Sequence, residues 1–87
     1  MYSIINWKRK VGKVMSKQEI RILNYIVICI SEFAKQKNIT RKEAYNYLKK
    51  YKGLEFLNEC YEAEHTVGLN DAVEDLTEVC KRNGGNI

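Results

Sequence analysis

Eighty-seven residues make one small domain, and folding at that size hides only ~60–70% of the chain's surface. A two-domain enzyme with a cleft between its halves is excluded, while the 45% apolar and 30% charged shares fit a soluble globular chain rather than a disordered one. A formal net charge of +4 and a pI near 9.0 make nucleic-acid binding the first functional class to test.

The first segment, residues 1–15, reads as an N-terminal extension. Ile4, Trp7, Val11 and Val14 recur at helical spacing, but Gly12 interrupts them. The segment is expected to be a short docking helix, an arm, or a piece ordered only with a partner. Its apolar residues precede its bases Lys8, Arg9 and Lys10, the reverse of a secretory signal.

Helices are then expected in succession, because proline is absent and two starts carry a capping box. Ser16-Lys17-Gln18-Glu19 is a capping box, with Met15 and Ile20 at the staple positions, and it opens a helix over about Lys17–Gln36. Ile20, Leu23, Val27, Ile30 and Ala34 form one stripe of this helix; Ile22, Ile26, Cys29 and Phe33 form another. A helix apolar over so much of its circumference is expected at the centre of the fold. The run from Tyr25 to Ile30 has strand propensity, but the upstream cap and the length favour helix. It is also the longest apolar run, far short of the ~20 residues that cross a membrane. Asn38 is the expected left-handed stop.

Thr40-Arg41-Lys42-Glu43 repeats the capping box and opens a second helix to about Tyr51, closed by Gly53. A third is expected from Leu54 to about Glu64, then a turn at His65-Thr66-Val67-Gly68. Asn70 would cap a fourth, Asp71–Arg82, and residues 83–87 read as a frayed tail. The fold class is therefore all-α: a small four-helix domain around a central buried helix, with an N-terminal arm or short helix. The divisions are 1–15 for the extension, 16–83 for the domain and 84–87 for the tail.

The charge is polarised along the chain. Residues 1–14 carry four bases and no acid, 15–53 carry nine bases and three acids, and 54–87 carry two bases and eight acids. This distribution weakens the nucleic-acid reading. The second and third helices could be drawn as a helix-turn-helix. The third, however, bears Glu55, Glu59, Glu62 and Glu64 without a Lys or Arg, and a phosphate backbone would repel it. Only the arm and the second helix could touch phosphate.

Catalysis is not expected. The single histidine, His65, has Cys60, Tyr61 and Thr66 near it in sequence but no nucleophile-elbow or phosphate-loop motif. Its expected role is structural: a ring at a helix C-terminus that hydrogen-bonds to the chain around the turn. Cys29, Cys60 and Cys80 are widely spaced, lie in apolar patterns and form no CxxC, so they read as core residues rather than metal ligands or disulfides. No metal and no cofactor is expected, and the compartment expected from free thiols is the cytoplasm. Tyr47 and Tyr51 share one face of the second helix and Tyr45 lies apart; a contact surface and a packed rim are equally compatible with the pattern.

The order Thr40-Arg41-Lys42-Glu43-Ala44-Tyr45, Gly53-Leu54, Cys60-Tyr61-Glu62, His65-Thr66-x-Gly68 and Val73-Glu74-Asp75-Leu76 resembles the bacterial domain-of-unknown-function family DUF3791, over roughly Ser16–Arg82. The Tyr61…His65-Thr66-x-Gly68 element is its most specific part. The resemblance implies a small helical domain without an established activity. It also implies an accessory or antitoxin-like role, because members are often encoded beside a family that looks like ADP-ribosyltransferases. The expected function is thus a small non-catalytic protein-interaction module, with a DNA-binding regulator using the arm and second helix as the alternative. The expected partner is another protein; a homodimer and nucleic acid are the other candidates, and a membrane is not one. The candidate contact residues are Trp7, Lys8, Arg9, Arg41, Lys42, Tyr45, Lys49, Tyr61, His65 and Thr66.

Overall fold

The computed structural model describes residues 16–87, which form five helices and no strand: α1 (Lys17–Lys37), α2 (Arg41–Lys50), α3 (Gly53–Glu59), α4 (Tyr61–Glu64) and α5 (Leu69–Arg82). The expectations for the extension, including the staple at Met15, lie outside the described residues.

Both capping boxes form. Glu19 N–H donates to Ser16 Oγ at 3.1 Å while Ser16 N–H donates to Glu19 Oε1 at 2.8 Å. Thr40 and Glu43 repeat the exchange at 3.0 and 2.8 Å. Each box satisfies two amides that have no partner inside their helix. Asn38 takes the left-handed conformation at φ 57°, and its N–H bonds back to the carbonyls of Ala34 and Lys35. That stop lets α2 return along α1.

The core is made by Cys29, Phe33 and Ala34 of α1, Ala44 and Leu48 of α2, Leu57 of α3, and Ala72, Val73, Leu76 and Cys80 of α5. It lies at the downstream half of α1. This corrects the expectation of a central buried helix: Ile20, Leu23, Val27 and Ile28 are 45, 49, 51 and 52% exposed. The physical reason is length. The 21 residues of α1 span about 30 Å at ~1.5 Å per residue, whereas α2, with 10, covers only part of that.

Three further expectations change. Gly53 does not close α2, which ends at Lys50 with Tyr51 as its cap, and Lys52 makes the left-handed turn at φ 72°. Gly53 instead opens α3 at a helix crossing, where a Cβ would stand 2.8 Å from Leu48 Cδ2 and 3.1 Å from Cys80 Sγ. The third helix divides at Cys60 (φ −106°, ψ 20°) into α3 and α4, so the domain has five helices rather than four. The last helix starts earlier, at Leu69 after Gly68, and Asn70 accepts a hydrogen bond from Gln36 Nε2 at 2.9 Å instead of capping it.

The C-terminal residues are docked rather than frayed. Gly85 N–H donates to the Cys80 carbonyl at 2.8 Å, and Ile87 N–H donates to Tyr47 Oη at 3.0 Å. Tyr47 is in turn held by Phe33, stacked at 5.7 Å between centroids, and by Tyr51 at 4.9 Å. Tyr47 and Tyr51 therefore pack the rim of the core, one of the two readings their pattern allowed.

Candidate functional site

Two features stand out beyond packing: a polar cluster where α1, α4 and α5 meet, and a half-exposed apolar row on α1.

The cluster is built on the short helix α4. Tyr61, buried, sits edge-on to Tyr25 of α1 at 5.5 Å and 76°, and stacks on His65 at 4.4 Å and 7°. His65 Nδ1 lies 2.7 Å from the Tyr61 carbonyl. A carbonyl can only accept, so that nitrogen carries the proton and Nε2 is the lone-pair side of the neutral ring. Thr66 Oγ1 donates to the Ala63 carbonyl at 2.7 Å. His65 and Thr66 thus satisfy carbonyls at the end of α4, the structural role read from the turn.

Glu64 is the least expected member. It is 9% exposed, and its Oε1 has no hydrogen-bond partner. Burial, reinforced by the adjacent Asp75 carboxyl, raises its pKa from 4.5 to about 7. Tyr25 Oη is likewise buried without a partner. Burial pushes the Tyr25 phenol up, with the Cys29 thiol adding to the effect, and burial also raises Cys29 and Cys80. These two thiols stay protonated, the state of a core cysteine rather than a reactive one. No group of three or more His, Cys, Asp or Glu side chains able to hold a metal ion occurs among the described residues.

Neither Glu64 nor Asp75 was a sequence candidate. A signal existed: Leu57, Tyr61 and Glu64 follow one another at helical spacing, which puts a carboxyl on the core-facing stripe. The nearby acid that makes it unusual comes from α5, eleven residues further on, and only folding brings the two together.

The apolar row is Ile20, Leu23 and Val27, spaced i, i+3, i+7 on one face of α1. The same row continues through Ile30, half-buried, to Ala34, buried in the core. Beside it, Glu19, Ile22, Leu23, Ile26 and Asn58 line a groove of about 220 Å³ between α1 and α3. Gln18 Nε2 donates to Glu62 Oε2 at 3.0 Å, tying the start of α1 to α4.

The sequence candidates fall in different places. Trp7, Lys8 and Arg9 lie outside the described residues. Arg41, Lys42, Tyr45 and Lys49 are exposed on α2, with Lys49 Nζ 5.9 Å from the Tyr45 ring centroid. Tyr61 is interior; His65 and Thr66 are exposed at the turn beside it. The ion pairs Lys52–Glu55 and Arg82–Glu78, at 3.9 and 3.8 Å, join residues of local sequence only. Exposed pairs of this kind contribute at most ~1 kcal/mol each, and Lys52–Glu55 crosses from the basic to the acidic part of the chain only as neighbours three residues apart.

DUF3791, a family of proteins of unknown function, matches residues 24–83. The chain belongs to this family. The match takes in α2 to α5 and the whole polar cluster, but it starts later than the resemblance suggested, and residues 16–23, with Ile20 and Leu23, fall outside it. No curated protein matches the chain, and neither does any solved structure. Among the described residues no helix is long and apolar enough to cross a membrane.

Proposed function

We propose that this chain is a non-catalytic protein-interaction domain that works in the cytoplasm as an accessory or antitoxin-like partner of another protein. The observation that carries this reading is the half-exposed row Ile20, Leu23, Val27. Three large apolar side chains in register on a helix, beside a groove, are the kind of surface on which an amphipathic segment of a partner lies. Exposed Tyr45 on α2 adds an aromatic side chain of the type enriched at interfaces.

The test is binding to the product of the neighbouring reading frame by calorimetry with the full chain. A stoichiometric complex that Leu23→Asp weakens by at least about tenfold, or ~1.4 kcal/mol, is the expected result. Undiminished binding by that variant would remove the row from the interface. Absence of a complex, with a mobility shift of duplex DNA that falls steeply with salt, would favour the regulator alternative instead.

A further inference from the structure

Of the five helices, α4 depends most on its neighbours. It has four residues, Tyr61–Glu64, set between the break at Cys60 and the turn at 65–68. A helix that short does not hold together in water by its own hydrogen bonds. Side chains fix its place: Tyr61 lies edge-on to Tyr25 of α1, Glu62 accepts from Gln18, and Glu64 meets Asp75 of α5. We propose that Glu64 and Asp75 form a proton-operated latch. It holds α4 against α1 and α5 while a proton lies between the two carboxyls, and releases α4 and its turn, with the other helices still folded, when that proton leaves.

The geometry supplies the reason. Two carboxyls in hydrogen-bond contact need a proton between them, because a carboxylate can only accept. Glu64 and Asp75 make such a contact across α4 and α5. Glu64 is 9% exposed, and its Oε1 is buried without a partner. As a neutral acid it donates to Asp75 and leaves one oxygen unsatisfied. As a carboxylate it is a buried charge against another carboxylate, a far costlier arrangement. Its surroundings do not offset that charge. Asp75 faces it from α5, and Tyr25 and Cys29 from α1. The acids of α3, which packs on α4, are the exposed Glu55 and Glu59; α4 and its cap add Glu62 and His65. None of these is a lysine or arginine.

Release of α4 is the smallest movement that returns Glu64 to water. Tyr61 and Glu64 are the buried residues of α4, whereas the core is built by residues of α1, α2, α3 and α5. Losing α4 therefore leaves the core packed, which is the condition for a local opening. Release also parts Tyr61 from Tyr25, the i+3 neighbour of Ile22 on α1, and so lengthens the groove between α1 and α3. That last consequence rests on reading the groove as a docking face; the latch itself is a property of the free chain, and either can fail alone.

Amide exchange followed by NMR on the full chain tests the latch. The amides of residues 63–67 are all hydrogen-bonded within 60–67. Their protection factors, which remove the intrinsic pH dependence of exchange, are expected to fall by up to about tenfold per pH unit from pH 5 and to level off above pH 7. They are expected to change little with sub-denaturing urea, the mark of a local opening, while core amides of α1 and α5 fall steeply with it. Glu64→Gln, which cannot ionise, should keep 63–67 protected at every pH. Histidine is the other side-chain type that changes charge near neutrality, so His65→Gln should retain the wild-type slope. Protection at 63–67 that is absent at pH 4.5, that does not vary with pH, or that falls with urea as steeply as the core would overturn the proposal. So would a pH slope that survives in Glu64→Gln or vanishes in His65→Gln.

Discussion

Replacing Glu64 by Gln should stabilise the domain in mildly alkaline buffer and leave it unchanged in acid. The carboxyl has a pKa near 7 in the folded protein and 4.5 without the fold. Between these values the folded chain holds a proton that the unfolded chain has released. This group's contribution is therefore complete below pH 4.5 and is lost as pH rises through 7. The difference of about 2.5 pKa units corresponds to a ceiling of ~3 kcal/mol. Gln keeps the shape and removes the charge, so urea midpoints at pH 8 should show Glu64→Gln more stable by ~1–3 kcal/mol, and those at pH 4 should coincide with wild type. In a domain of this size each kcal/mol moves Tm by about 4–8 °C, so thermal melts read the same effect. Asp75→Asn removes a neighbouring carboxyl that raises Glu64, and should make the loss of stability smaller and complete at lower pH. Two results would refute the reasoning: a wild-type midpoint that does not fall between pH 5 and 8, or a Glu64→Gln shift of equal size at both ends.

Gly53→Ala should destabilise by about 1–3 kcal/mol, the usual range for overpacking, because the new methyl meets Leu48 and Cys80 across a helix crossing; a urea midpoint at or above wild type would show the crossing to be loose. Thr40→Ala removes the hydroxyl that accepts Glu43 N–H and should cost ~1 kcal/mol, read by chemical denaturation and by faster amide exchange in the first turn of α2.

The helical organisation was legible because its signals are local. A hydroxyl and a carboxylate three residues apart at Ser16 and Thr40, and Asn38 with its tolerance of positive φ, act on backbone groups within one turn. The same locality explains why His65 was readable as a turn residue: its partner carbonyl belongs to Tyr61, four residues earlier. The legible part of the candidate site ends there. Tyr61 faces inward because Tyr25, thirty-six residues away, closes over it. Glu64 is perturbed because α5 brings Asp75 against it.

Periodicity misled where it was strongest. It states which residues of α1 are apolar, but not how much of the helix its neighbours can reach. α2 is too short to cover the upstream turns, so Ile20, Leu23 and Val27 stay half-exposed while Phe33 and Ala34, on the same helix, are sealed in the core. The amino-acid order by itself determined an all-α class, the starts of α1 and α2, and the polarised charge, all set by contacts within a turn or by composition. Tertiary structure alone decided which apolar face is covered, why position 53 favours glycine, and which carboxyl holds its proton to higher pH. Each of these depends on the distance between groups remote in the chain, which only the packing of helices of unequal length sets.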